Sequence, residues 1–143
     1  MNVLVQANVL TVGLGKREQA LQDLPIEIVS VQTAAQAARS LKNENFDSVI
    51  IRWDSRDEDC SLFLKRLRTV KPDISTMVLV GADDPSQEIE ARSIGVSIVV
   101  TEDCSDEYLL RASVDLLGLE TVLPERTPAE VKPQRSLKKV RSR

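Results

Sequence analysis

The chain has 143 residues with a formal net charge of −3, is 42% hydrophobic and contains no histidine. A chain of this length buries roughly two-thirds of the surface its unfolded form exposes, which suits one domain. The missing histidine excludes imidazole acid–base catalysis, imidazole metal ligation and a phosphohistidine within this chain. Cys60 and Cys104 form no CxxC pair, so no zinc site or disulfide framework is indicated and a reducing, cytoplasmic setting is expected. No apolar run approaches the ~20 residues of a membrane span, and the polar N-terminus does not read as a signal peptide.

In chain order, Val9 to Gly13 reads as the first strand, and Lys16 to Leu24 as a short helix closed by Pro25. Ile26 to Val31 alternates more than it runs, which marks a strand near a sheet edge. Thr33 can cap a helix to about Asn43 with Ala34, Ala37, Ala38 and Leu41 on its apolar face. Phe46 to Asp54 holds the uninterrupted β-branched run Val49-Ile50-Ile51 and ends in charge. Such a run predicts a central strand of a parallel sheet covered on both faces.

After a loop at 54–59, a helix from about Cys60 is expected to bury Phe63, Leu67 and Val70, with Leu64 beside them. Thr76 to Val80 is the fourth strand. Asp83-Asp84-Pro85 opens the next helix, which Gly95 closes. Val96 to Val100 is the fifth strand, and Asp106 caps a last helix predicted to bury Leu110, Val114 and Leu117. Five strands alternating with five helices predict a right-handed, doubly wound α/β domain over residues 1–119. Residues 120–143 read as a basic flexible tail or linker. From Pro124 onwards seven Lys or Arg face only Glu125 and Glu130, so the tail carries +5 and the remainder −8.

Phe46-Asp47-Ser48-Val49-Ile50-Ile51 and Gly95-Val96-Ser97-Ile98-Val99-Val100-Thr101 resemble the third and fifth strands of response-regulator receiver domains (CheY-like). The resemblance spans about residues 8–119. It implies a flavodoxin-like five-stranded parallel sheet of order 2-1-3-4-5, switched by phosphorylation of an aspartate that ends the third strand. It also implies functional positions at which this chain departs. The acidic pair that holds magnesium falls on Gly13 and Leu14, and the phosphorylated aspartate falls on Arg52. The hydroxyl that senses the phosphoryl group falls on Gly81, the aromatic switch on Val99, and the strand-five lysine on Glu102, followed by Asp103.

A guanidinium is no nucleophile and repels a divalent cation, so the expected pocket is degenerate. The implied acid–base partners of strands three and five are here Arg52 and Glu102, which predicts a charge-inverted ion pair. The alternative phosphoacceptor is Asp54, two residues on, in the loop beyond the sheet. The acids Asp54, Asp57, Glu58, Asp59, Asp83, Asp84, Glu102 and Asp103 share that sheet end and read chiefly as solvated loop and helix-cap groups. Gly13-Leu14-Gly15-Lys16 fits no phosphate-loop spacing and reads as a turn. The two cysteines read as ordinary free thiols.

Receivers commonly pair or bind targets through the fourth helix, fifth strand and fifth helix, which here carry Glu88, Arg92, Val99, Arg111 and Asp115. This mixed-sign set suits self-complementary pairing as a homodimer. In the tail, Lys132, Arg135, Lys138 and Lys139 lack an interleaved aromatic residue but can attract nucleic-acid phosphates. The expected function is a phosphorylation-independent pseudo-receiver that regulates signal transduction through protein–protein contacts, with no enzymatic activity, cofactor or metal. The alternatives are a phosphorylatable regulator using Asp54, or a nucleic-acid-associated regulator binding through the tail.

Overall fold

The computed structural model describes residues 5–54, 56, 57 and 59–119. Its strands are β1 (Ala7–Val12), β2 (Ile26–Val31), β3 (Ser48–Arg52), β4 (Ser75–Val80) and β5 (Ile98–Thr101). All neighbouring pairs are parallel, and the sheet order is β2-β1-β3-β4-β5. The first helical segment is a 3₁₀ helix, η1 (Gly15–Leu21); the others are α1 (Ala34–Asn43), α2 (Asp59–Val70), α3 (Pro85–Ile94) and α4 (Asp106–Leu117). This is the doubly wound α/β architecture that the alternation predicts.

The central run behaves as its composition requires. Val49 and Ile51 face a core with α1, α2 and α3, whereas Ile50 faces the opposite core with Leu21 and Leu109. All three β3 side chains are fully buried, each contributing about 1.5–3 kcal/mol relative to exposure. β2 lies at the sheet edge, and its exposed Glu27 and Ser30 account for its alternating pattern. Thr33 caps α1 in a reciprocal box with Gln36, a device that contributes about 1 kcal/mol. Asp84 caps α3 ahead of Pro85, and Gly95 closes it at φ 96°, a backbone state that only glycine adopts without steric penalty.

Several boundaries and faces differ from the sequence reading. β1 begins at Ala7 rather than Val9, because Ala7 pairs with Ile26 of β2. The segment expected as a helix to Leu24 forms the 3₁₀ helix, whose N-cap residue Leu14 offers no capping side chain. β5 starts at Ile98, since the Ser97 side chain and backbone satisfy Thr76 at the strand's entry. Ser105, not Asp106, caps α4 by accepting the Tyr108 N–H. The buried side chains of α4 are Leu109 and Ser113, with Leu110, Val114 and Leu117 only partly covered. Val70 is 70% exposed at the end of α2, where the buried stripe of Cys60, Phe63, Leu64 and Leu67 has already met the sheet.

Candidate functional site

The carboxyl ends of β1, β3, β4 and β5 bring Gly13, Arg52, Gly81 and Glu102 together. In open parallel α/β sheets this edge is where ligands gather. Arg52 closes β3, whose pairing with β4 sets it opposite Leu79. Its guanidinium reaches both ways: Nε donates to the Gly13 carbonyl at 3.1 Å, and Nη1 meets Glu102 Oε1 at 3.3 Å. The predicted charge-inverted pair is therefore formed.

Glu102 approaches from two strands away, across the end of β4, and Gly81 lies under that crossing. A Cβ at Gly81 would stand 3.6 Å from Glu102 Oε2 and 3.4 Å from Gln87 Oε1, in ordinary contact with both, so the position lies directly beside the crossing. The Gln87 carboxamide oxygen in turn accepts the Gly81 N–H at 2.8 Å. Gly13 turns the chain at φ 71°, which presents its carbonyl to Arg52. Leu14 is the exception among the expected pocket positions. It is buried in the core with Leu21 and Leu24, away from the strand-end cluster.

A second arginine, which the sequence reading passed over, completes the arrangement. Arg17 in η1 donates from Nη1 to the Glu102 carbonyl at 2.8 Å and from Nη2 to the Cys104 carbonyl at 2.6 Å. Its Nε stands 3.3 Å from Asp106 Oδ1, at ion-pair distance but off the hydrogen-bonding line. Arg17 thus ties the turn after β1 to the segment between β5 and α4. Its partners are mainly backbone carbonyls, which carry no residue-type signal in a sequence.

The remaining acids are mostly occupied locally. Asp57 Oδ2 accepts the Ala34 N–H at 3.0 Å and Oδ1 accepts the Asp59 N–H, so it supports the first turn of α1 from across the fold. Asp84 caps α3 through Ser86, and Asp103 accepts from the Thr101 hydroxyl. Asp54 accepts from the Arg56 backbone N–H at 2.9 Å and from Arg56 Nε at 3.2 Å. Glu58 lies outside the described residues.

The backbone N–H of Arg56, with its guanidinium, holds the Asp54 carboxyl below its ordinary value of 3.8. Because the folded value is depressed, the associated stability is present above about pH 4 and is lost as pH falls through the folded value. An NMR titration of the Asp54 carboxyl is expected to give a midpoint below 3.8. Arg56→Ala should raise that midpoint only part of the way, since the backbone donor is retained.

Cys60 belongs to the core with α1 and α2, and burial pushes its thiol up. Cys104 packs on the other side of the sheet, so the two thiols are not neighbours. On the surface of α3, β5 and α4, Arg92 pairs with Glu88 at 3.0 Å and Arg111 with Glu107 at 3.5 Å, each within its own helix. Asp115 lies on the same α4, and Val99 is partly buried against the α1–α3 core. The tail positions Lys132, Arg135, Lys138 and Lys139, and the boundary at 120, lie outside the described residues.

No protein-family model matches the chain, and no curated protein matches it in sequence. Solved structures do match. The signal receiver domain of an HD domain-containing protein from Pseudomonas fluorescens Pf-5 aligns at 23% identity and TM-score 0.67, covering 78% of this chain and 94% of that one. The fold is that of a receiver domain. A CheY-like response regulator receiver domain protein from Methanospirillum hungatei JF-1 aligns at 16% identity and TM-score 0.70, covering 80% and 94%. A response regulator from Thermotoga maritima gives 19% identity, TM-score 0.67, and coverage of 78% and 98%.

The divalent cation that the receiver fold implies does not suit the residues at these strand ends. Gly13 and Leu14 offer no carboxylate, a guanidinium stands at Arg52, and the Glu102 carboxylate is engaged by that guanidinium. Among the described residues no cluster of carboxylates or thiols forms a metal site, and no helix is long and apolar enough to cross a membrane.

Proposed function

We propose that the chain is a receiver-like regulator of signal transduction that works through protein–protein contacts without accepting phosphate, in a cytoplasmic setting and without enzymatic activity. The observation that carries this reading is the placement of Arg52, bonded at once to Gly13 and Glu102 where the resemblance implies a nucleophilic carboxylate. Phosphoryl transfer to a side chain needs a nucleophile and neutralisation of the phosphoryl charge. A guanidinium tied to a carboxylate supplies neither a nucleophile nor a seat for a cation. A pair of this exposure contributes about 0–1 kcal/mol, so its effect lies in which groups occupy the strand ends more than in stability.

Self-pairing through α3, β5 and α4 would draw on Arg92 and Arg111, which are already matched within their helices. Intact mass spectrometry after incubation with acetyl phosphate and Mg²⁺, beside an Asp54→Asn variant, tests phosphate independence. The expected result is no added phosphoryl mass in either protein. An adduct in the wild type overturns the reading, and its loss in the variant would assign it to Asp54.

A further inference from the structure

A groove of about 660 Å³ runs between α1 and α2, and the mechanism proposed above does not use it. Its origin is compositional. α1 presents Ala34, Ala35 and Ala38 towards α2, and these small side chains cannot fill the space opposite Leu62, Phe63 and Val70. Leu62 and Val70 are therefore left 54% and 70% exposed. Leu62 and Val70 stand about 12 Å apart on one helix face, with Arg66 between them, and exposed apolar side chains along the lip of a formed groove mark an interaction surface more than a scattered Leu or Val does. Its volume is in the range of sites that take several apolar groups.

The charges at the groove decide what fits. Lys42, Arg66 and Lys71 line it against one acid, Asp59, on a chain that carries −8 outside its tail. The groove is thus a basic-rimmed apolar strip on an acidic body. A segment as basic as the tail, at +5, is a poor charge match for that rim. We propose that the α1–α2 groove docks an acidic amphipathic helix of a protein partner, its apolar residues seated between the helices and its carboxylates on Lys42, Arg66 and Lys71. This is the helix-in-groove mode, with anchors at i, i+3 or i+4, and i+7, and complementary charge sets orientation and selectivity. The inference names a partner surface for the protein-contact reading and rests on that reading for its biological sense.

The test uses the full chain and a labelled designed helical peptide with Leu at anchor positions and Glu on both flanks. A second peptide carries Lys in place of every Glu. Binding is followed by fluorescence anisotropy and by amide chemical shifts in ¹⁵N-labelled protein. The acidic peptide is expected to shift amides around Ala35, Ala38, Leu62 and Val70, and the basic peptide to bind at least about tenfold more weakly. Leu62→Asp, at an exposed position that leaves the core intact, should weaken binding about tenfold or more, as should Lys42→Glu combined with Arg66→Glu.

Absence of groove shifts at millimolar acidic peptide overturns the proposal, as does equal binding of both peptides. Concentration-dependent self-association abolished by Leu62→Asp would put a second copy in the groove and overturn it. Groove shifts on deleting residues 124–143 would put the tail there, with the same consequence. A phosphoryl adduct overturns phosphate independence and leaves the peptide result standing, so the two readings fail separately.

Discussion

Leu14→Asp is expected to destabilise the domain by about 3–5 kcal/mol, the sum of a lost core side chain and a carboxyl placed where nothing bonds it. Leu14 is 4% exposed and packs with Leu21 and Leu24 beneath η1. Urea unfolding monitored by circular dichroism should show the drop, and Leu14→Met should cost less than about 1.5 kcal/mol because volume and polarity are kept. The outcome bears on function as well as stability. Gly13→Asp strains a backbone held at φ 71° and Arg52→Asp alters a group at the strand ends, but an acid at position 14 must be accommodated in the core. If Leu14→Asp folds with wild-type stability, the side chain can turn out to the strand ends, and an acidic pocket is within easy reach of this fold.

Arg17→Ala ranks second. It removes two charge-assisted hydrogen bonds, to the carbonyls of Glu102 and Cys104, and leaves both acceptors in a partly covered position. A loss of about 2–3 kcal/mol is expected. Hydrogen exchange separates this effect from general weakening: the amides of residues 102–106 should lose protection before those of β3. Arg17→Lys should recover only part of the loss, since an ammonium cannot hold two diverging carbonyls as a planar fork does. Uniform loss of protection across the sheet would show that the contact between η1 and the β5–α4 segment is no separate unit.

The Arg17 clasp also bears on the state of the strand ends. It grips the backbone of the residue whose side chain holds Arg52. Two arginines from different elements therefore fix Glu102 at both its carbonyl and its carboxylate. Under the protein-contact reading proposed above, partners select this doubly held arrangement.

Much of the fold is legible along the chain because its causes are local. The run Val49-Ile50-Ile51 fits a strand covered on both faces, and Thr33, Asp84-Pro85 and Gly95 punctuate helices by bonds within a few residues of themselves. Val70 misleads because helical periodicity says which face a residue is on, but not where the neighbouring layer ends. Asp106 misleads because an acid in the first turn and a capping Ser105 one residue earlier give nearly the same signal.

The candidate site divides along the same line. By itself the sequence determines that no histidine is available and that the resemblance sets the cation Arg52, not a carboxylate, at the phosphoacceptor position, with Asp54 as the alternative two residues on; the structure ends β3 at Arg52. The tertiary structure alone decides that Arg52 also bonds the Gly13 carbonyl, that Gly81 lies beside the crossing of Glu102, that Arg17 clasps the far side, and that Asp57 supports α1 from 23 residues away. Chain-local bonds are encoded in neighbouring residue types. Contacts between strand ends depend on sheet order and side-chain reach, and their acceptors are often backbone carbonyls that every residue type supplies.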